Sequence, residues 1–382
     1  MHQVSSRGVR SLADARAPRI GSVEVAFPEH HYSQQDLIQA IETRWASAED
    51  AAHVRALVKK LHRSVAVEGR YLALPLEEHA NLRDFGDAND AFIRVGTELG
   101  ARAVSQAVAR SGFELEDLDA IFFTTVTGVA APSIDARLVN RLGLRRDIRR
   151  TPIFGLGCLG GAAGVARTND YLRGHPDHVA VLLSVELCSL TLQRDFSLAN
   201  IVSSGLFGDG AAALVMTGAE VRGEPASSRG DAPISIRDRV RPRVLSTRSA
   251  FFPNTERVMG WDIGATGFKV VLSADVPNIV REHLPREVDG FLSEHGLQRS
   301  DIRHWVCHPG GPKVITAIEE SLALPTDALA ITRQSLASVG NLSSASVLHV
   351  LGETEKRARP GELGVLMAMG PGFCAEMVLL AW

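Results

Sequence analysis

Three residues at three strand-to-helix turns, Cys158, His308 and Asn341, hold the chemistry that this 382-residue sequence offers. Cys158 lies in Thr151-Pro-Ile-Phe-Gly-Leu-Gly-Cys-Leu-Gly-Gly-Ala-Ala-Gly-Val165, which reads as a short buried strand, a glycine-rich turn and a helix. A thiol at that turn meets unpaired backbone N–H groups and the positive end of a helix dipole. Both favour the thiolate near neutral pH. His308 ends the apolar run Trp305-Val-Cys-His and precedes Pro309-Gly-Gly-Pro312, which opens a helix through Val314, Ile315 and Ile318. A strand-end histidine before such a turn is placed to enter a cleft, although a satisfied core histidine looks the same in isolation. Asn341 sits in Gly340-Asn-Leu-Ser-Ser-Ala345. Together the three allow acyl transfer: Cys158 attacks a thioester, His308 stabilises its thiolate, and His308 and the Asn341 amide donate to a developing oxyanion.

Two other readings compete for the same letters. Gly155-Leu-Gly157-Cys-Leu-Gly160 fits G-x-G-x-x-G after a strand, and Glu186 ends the next apolar run, Val179 to Val185, much as in a dinucleotide fingerprint. Its mid-chain position and the cysteine inside the turn weigh against nicotinamide binding. A papain-like peptidase also uses Cys, His and Asn, but its local signature near the mature N-terminus is absent.

The bulk numbers bound the class. The chain is 45% hydrophobic and 22% charged with a net charge of −3, which gives nucleic acid nothing to bind. Its arginines are scattered, and no apolar run of about 20 residues is present, so stable membrane insertion is not expected. The four cysteines, 158, 188, 307 and 374, make no C-x-x-C pair and no metal-ligand spacing. In a chain of this size that points to free thiols in a reducing, cytoplasmic setting, with no metal and no resident cofactor.

The elements that must position the three turns read in order. Residues 1–19, rich in Arg, Ser and Ala, read as a disordered leader. Ile20 to Phe27 is a strand, Ser33 caps a helix through Leu37, Ile38 and Ile41, and Ala51 to Ser64 is a helix carrying Lys59, Lys60 and Arg63. A helix over Asp90 to Arg110 stops at Gly112, and a buried strand from Leu118 runs towards Gly128. Ser189 to Ser204 reads as a polar insertion, and Leu206 to Met216 as a hairpin turning at Gly208-Asp-Gly210.

The second half then repeats the first. Gly340-Asn-Leu-Ser-Ser-Ala345 echoes Gly157-Cys-Leu-Gly-Gly-Ala162 at an offset of 341 − 158 = 183, and Asp301 to Val306 echoes Asp117 to Phe122 at 301 − 117 = 184. Two segments in one register imply an internal duplication. It gives an N-terminal half over 20–217, a Gly/Pro/Ser-rich linker over 218–233 and a C-terminal half over 234–382. Each half should be an α/β layer, with Cys158 and Asn341 at equivalent turns facing one another.

Gly-Cys158-Leu-Gly-Gly, Phe207-Gly-Asp-Gly, His308-Pro-Gly-Gly-Pro, Gly-Asn341-Leu-Ser-Ser-Ala and Met369-Gly-Pro-Gly-Phe373 occur in the order of the chalcone synthase family. From about residue 18 onward the chain resembles a bacterial type III polyketide synthase. That resemblance implies a thiolase-type αβαβα fold, a homodimer, and iterative decarboxylative condensation of malonyl-CoA onto an acyl-CoA starter held on Cys158. An acyl carrier protein is the alternative starter donor. His308 and Asn341 would bind the malonyl thioester and stabilise its enolate, while Phe207 and Phe268 resemble the aromatic gatekeepers. Lys59, Lys60 and Arg63 fall near the cationic helix that binds CoA phosphates. The loop Val129-Ala-Ala131-Pro132 resembles the one that reaches the partner's cavity. Thr127, Ala131, Cys188, Thr191, Ser343, Met369, Gly370 and Pro371 are the expected cavity positions.

Ala131 and Cys188 stand where plant members carry methionine and threonine. Small residues at Thr127 and Cys188 resemble the bacterial branch that takes long-chain acyl starters, which implies an alkylpyrone or alkylresorcinol synthase. Within the fold, a ketoacyl synthase III-like enzyme that stops after one condensation is the alternative, and a catalytically silent scaffold is another.

Overall fold

A run buried on both faces and rich in Val, Leu and Ala satisfies its backbone only inside a sheet, and this sequence supplies several such runs. In the computed structural model, which describes residues 14–44, 51–193, 195, 197–221 and 241–382, they become the centres of a layered α/β fold. The first half runs β1 (Arg19–Ala26), β2 (His30–Ser33), α1 (Gln34–Arg44), α2 (Ala51–Ser64), β3 (Gly69–Leu72), α3 (Leu76–Asn81), α4 (Phe85–Ser111), β4 (Ala120–Thr125), α5 (Ile134–Leu142), β5 (Arg149–Phe154), α6 (Gly160–Gly174), β6 (Val179–Leu187), α7 (Leu198–Leu206) and β7 (Asp209–Thr217). The second runs β8 (Arg243–Phe251), β9 (Met259–Gly264), β10 (Gly267–Leu272), α8 (Val276–Ser293), β11 (His304–Cys307), α9 (Pro312–Leu322), α10 (Ala330–Val339), α11 (Ser344–Glu355), β12 (Leu363–Gly370) and β13 (Cys374–Ala381).

The strand order is β11-β12-β13-β8-β1-β7-β6-β4-β5, and it reads as two related sheets joined at a seam. Moving outward from that seam, β1-β7-β6-β4 on one side answers β8-β13-β12-β11 on the other. The inner pairs are antiparallel, and β4 with β6 and β11 with β12 are parallel. The duplication expected from the 183- and 184-residue offsets is therefore present in the topology. At the seam the sheets touch through one residue pair, Arg19 with Arg243, flanked by the bonds from Ile20 N–H to Pro242 O and from Val244 N–H to Pro18 O.

Three apolar cores define five layers. Outside the first sheet, α4 packs Phe92, Val104 and Ala107 onto Val181, Leu183 and Val215. Outside the second, α8 and α9 pack Val288, Phe291 and Ile315 onto Trp305, Val365 and Met377. Between the sheets lie α6 and α11, whose Ala162, Val165, Val347, Leu348 and Leu351 meet Ile20, Leu182 and Leu214 on one side and Val306, Leu366 and Val378 on the other. This is the αβαβα arrangement.

The central layer demands small residues. A Cβ built on Gly161 at the start of α6 would fall inside the carbonyl oxygen of Ser344 at the start of α11, so only glycine permits the crossing. The Gly160-Gly161 pair and the Ser343-Ser344-Ala345 run are the two sides of one contact.

Several boundaries differ from the sequence reading. The helix expected over Asp90 to Arg110 begins five residues earlier, because Asp84 caps it by accepting from the Asp87 N–H; Gly112 ends it as expected, at φ +84°. The polar insertion holds a short 3-10 turn at Cys188–Thr191 and then α7, whose Ile201 and Leu206 are buried. No hairpin forms at Gly208-Asp-Gly210. Asp209 starts β7, which pairs with β1 and β6, and its carboxylate accepts from the backbone N–H groups of Ala73 and Ser189. Buried N–H groups win over the turn propensity of the sequence. The last residues of the expected leader are also part of the fold: Ala17 is buried and Asp14 pairs with Arg173 at 2.8 Å. Residues 1–13 and 222–240, which take in most of the linker expected over 218–233 and the start of the expected C-terminal half, lie outside the described residues.

The central crossing yields a stability prediction. Gly161→Ala should lose about 2–3 kcal/mol of unfolding free energy in urea titration, because backbone opposes the new methyl and cannot rotate away. A loss below about 0.5 kcal/mol would mean the layer relaxes around it.

Candidate active site

Cys158 occupies a 3-10 turn, Gly157–Leu159, that runs directly into α6, so its sulfur lies at the N-terminus of a helix whose first seven residues are buried. Gly157 adopts φ +53°, and a Cβ there would stand 2.7 Å from Pro371 Cδ. The Met369-Gly-Pro371 segment is thus packed against the cysteine turn, which explains why both motifs are glycine-rich. His308 follows β11, held by its N–H to Met367 O at 2.9 Å, and α9 starts after Gly311.

Asn341 is fixed by two arrangements. Its backbone bridges Phe207: Asn341 N–H donates to Leu206 O at 2.9 Å, and Gly208 N–H donates to Asn341 O at 3.0 Å. Its side-chain oxygen accepts the backbone N–H of Ser343 at 2.8 Å and the Ser346 hydroxyl at 3.4 Å. A backbone N–H can bond only to the amide oxygen, so the carboxamide orientation is set and its NH2 is left for the cavity it shares with Cys158, where it favours the thiolate. Ser343 itself is strained, at φ +48° and ψ −127°, which costs about 1–3 kcal/mol for a non-glycine residue. Its Oγ receives the Cys158 thiol at 3.8 Å.

These groups share one narrow cavity of about 70 Å³. Cys158, His308, Asn341, Phe207, Thr127, Cys188, Ser343, Met369 and Pro371 all line it, as the sequence placed them; Gly370 is buried beside it at the end of β12. Phe268 does not line it. That ring contacts Phe85 at 5.4 Å and Trp261 at 5.9 Å and borders a second, larger cleft of about 800 Å³. Thr191 borders the same cleft, and Cys188 with Phe207 lines both spaces. Ala131 is exposed on its loop, away from both. Lys59 is paired with Glu42 at 2.9 Å, Lys60 is exposed, and Arg63 lines a third cleft of about 580 Å³ with His62, Pro312 and Arg333.

The electrostatics depart from the simple helix-terminus argument. Burial pushes the Cys158 thiol up to about 12, with Ser343 and Asn341 pulling the other way, and burial alone takes the His308 imidazole down to about 3. Each group by itself is neutral at pH 7. Among the described residues neither ring nitrogen of His308 has a hydrogen-bond partner, so both are available to what enters the cavity.

Sequence reasoning missed Glu186 as a site residue, reading it only as the acid of the dinucleotide decoy. It is fully buried beneath Thr127. One oxygen accepts from Val126 N–H at 3.1 Å and the Thr127 hydroxyl at 2.9 Å, and the other accepts from Ser344. A lone carboxylate in the apolar run Val179 to Leu187 was the available signal. The apolar strands of β9 and β10, which bring Met259, Trp261 and Val270 to the cavity wall, were also missed, having no chemical motif.

A buried cysteine at the entry of a central helix, facing a histidine and an asparagine supplied by the duplicated half, defines a condensing acyltransferase of the thiolase type. The description "Chalcone and stilbene synthases, N-terminal domain" matches residues 5–220, and "Chalcone and stilbene synthases, C-terminal domain" matches 243–381. The chain belongs to the chalcone and stilbene synthase family and is a type III polyketide synthase. It is 51% identical over 380 residues to a 1,3,6,8-tetrahydroxynaphthalene synthase of Streptomyces peucetius subsp. caesius, spanning 99% of this chain and 97% of that protein. A 3,5-dihydroxyphenylacetyl-CoA synthase of Streptomyces toyocaensis is 34% identical across 98% of this chain and 92% of its own length. Among solved structures, the 1,3,6,8-tetrahydroxynaphthalene synthase of Streptomyces coelicolor superposes with a TM-score of 0.83 at 28% identity, covering 95% of this chain and 99% of that one.

Glu186 gives the site a pH signature. Burial raises its carboxyl from 4.5 to about 7, so its contribution to stability is full below pH 4.5 and is lost as pH rises from there through 7. Glu186→Gln removes the cost of ionising it. Measured by urea titration, the variant should gain about 2–3 kcal/mol relative to the parent between pH 5 and pH 8. No difference between the two pH values would show that Glu186 ionises freely in the fold.

Proposed function

We propose that this synthase holds the growing acyl chain on Cys158 and uses His308 and the Asn341 amide as the donors that stabilise the enolate left when malonyl-CoA loses CO2. One observation carries the reading: the Asn341 carboxamide is locked with its NH2 left for the Cys158 cavity, while His308 keeps both ring nitrogens unpaired in the same cavity. The thiolate and the imidazolium form as a unit, each charge offsetting the desolvation of the other, since neither is stable there alone. Met259, Trp261, Val270 and Val314 supply an apolar wall that disfavours the malonyl carboxylate relative to neutral CO2. Condensation breaks the acyl–sulfur bond to Cys158 as the carbon–carbon bond forms, giving a β-ketoacyl-CoA and freeing the thiolate. The cycle repeats because that product is itself a thioester, which Cys158 can attack again with release of CoA.

The product we favour is the tetrahydroxynaphthalene named for the relative at 51% identity. A naphthalene skeleton oxygenated at alternate carbons is assembled wholly from two-carbon units, so malonyl-CoA serves as both starter and extender. A second reading, a fatty acyl starter closing to an alkylpyrone or alkylresorcinol, is favoured by the large cleft beyond Phe207 and Cys188. Leu37, Ile41, Leu72, Leu82 and Phe85 line it, and it has room for an acyl tail gaining roughly 0.8 kcal/mol per CH2.

Arg63 flanks the cleft beside Pro312, just past the His308 loop, and is the cation best placed for CoA phosphates; Lys59 is already paired with Glu42 and Arg333 with Glu319. CoA is accordingly the favoured donor over a carrier protein. The exposed strand β5, with Phe154 and Val129 exposed beside the Ala131 loop, is the face for a second copy in a homodimer. The four free cysteines suit a cytoplasmic setting.

The deciding measurement is a mass-spectrometric product profile from malonyl-CoA alone and with acyl-CoA starters, using Cys158→Ala as the control. Tetrahydroxynaphthalene from malonyl-CoA alone supports the first product. Alkylpyrones formed with a C10–C16 starter at a higher kcat/KM support the second, and a single β-ketoacyl product overturns the iterative reading. Asn341→Asp should still load acyl groups on Cys158 while losing about 100-fold or more in CO2 release from malonyl-CoA, because a carboxylate cannot donate. His308→Ala should slow iodoacetamide alkylation of Cys158 at pH 7 at least tenfold, as expected if the histidine carries the counter-charge.

A further inference from the structure

Four non-glycine residues among those described have positive φ: Ala66, Asn254, Ala323 and Ser343. Ala323 caps a helix in the ordinary left-handed well, at φ +50° and ψ +45°. Asn254 is of a type that tolerates the region. Ser343 differs from both. Its ψ of −127° puts it in a conformation otherwise taken by glycine, it is 3% exposed, and it lines the cavity that holds Cys158.

This conformation has a specific effect. Asn341 and Ser343 are two residues apart, and only with the chain turned back at Leu342 does the Ser343 N–H meet the side-chain oxygen of Asn341, at 2.8 Å. Beyond it, α11 begins at once with Ser344, pinned against α6 at Gly161 and bonded to Glu186. Upstream, the Asn341 backbone is pinned to Leu206 and Gly208. With both flanks fixed, the peptide at Ser343 is the adjustable link between them, and its orientation decides where the Asn341 amide points. The serine hydroxyl contributes only the long contact to the Cys158 thiol, at 3.8 Å.

We propose that Ser343 is a positioning residue for malonyl decarboxylation, acting through its left-handed backbone, which turns the Asn341 NH2 into the cavity, and not through its hydroxyl. The inference rests on the donor role proposed above for Asn341. It sets an order of substitutions by backbone tolerance that polarity does not reproduce. Glycine adopts the conformation freely, alanine with the same strain as serine, and a β-branched residue hardly at all.

The test measures CO2 release from malonyl-CoA for Ser343→Gly, Ser343→Ala and Ser343→Val, each also in an Asn341→Ala background, with starter loading on Cys158 followed by mass spectrometry as the check on folding. Ser343→Val should lose about 100-fold, the scale of one oxyanion donor, while Ser343→Ala, which keeps the serine Cβ and removes only the hydroxyl, should stay within about twofold of the parent. Ser343→Gly, which adopts the conformation freely, should do the same. In the Asn341→Ala background the three should converge to within about twofold. Should Ser343→Val fail to fold, Ser343→Ala still decides. A loss of about tenfold or more in both the alanine and glycine variants, or a valine loss that persists without Asn341, overturns the proposal. Undiminished CO2 release from Asn341→Ala alone overturns instead the donor role on which it rests.

Discussion

The structure depends on how closely two helices can cross between two sheets. The entry turns of α6 and α11 meet where the Ser344 carbonyl occupies the space a Gly161 side chain would fill. That contact brings the thiol of one half and the carboxamide of the other into one cavity, and any wider separation would part them. The αβαβα layering follows from it. Two helices with apolar residues on opposite faces need a sheet above and below, and each sheet then needs an outer helical layer to cover its far face.

The cavity that results is hostile to charge, and its chemistry turns on that. Cys158, His308 and Glu186 are each shifted by burial towards their neutral forms. Ionic states there exist in compensating pairs or when hydrogen bonds are supplied, as the Ser344, Thr127 and Val126 donors do for Glu186. The same hostility favours expelling carbon dioxide from a bound carboxylate. Apart from the His308 ring, polar groups in and around the cavity are tethered, the Asn341 oxygen by a peptide N–H and the Asp209 carboxylate by two; Phe207 is held through a backbone bridge to Asn341.

Much of this arrangement was legible in the residues. The duplication showed as offsets of 183 and 184, because equivalent turns in equivalent helices need similar small residues. Cys158 and His308 stood out beside glycine turns at strand ends, and Asn341 as the counterpart of Cys158 in the repeat, although helix α10 and not a strand precedes it. What escaped notice depends on tertiary partners. Gly208-Asp-Gly210 has the composition of a turn, and only the N–H groups of Ala73 and Ser189 make Asp209 the first residue of a strand. Phe268 and Trp261 lie on paired strands, and their placement relative to the cavity is settled by how that hairpin leans. The helix-dipole argument for Cys158 was right about location and incomplete about energetics, since no local pattern reports depth of burial.

The thin seam between β1 and β8 bears on how the chain is made. The two sheets share a single residue pair there, yet α6 lies wholly between them, so its second covering is encoded after residue 243. At ribosomal speeds of 5–20 residues per second, the first half therefore waits for about 10–30 s with Ala162 and Val165 lacking the strands that will close over them. The nascent N-terminal half is a sheet with an uncovered apolar helix. Cys158 and Asn341 come to line one cavity only after residue 341 has been made, so the thiol cannot meet its counterpart turn while the first half stands alone.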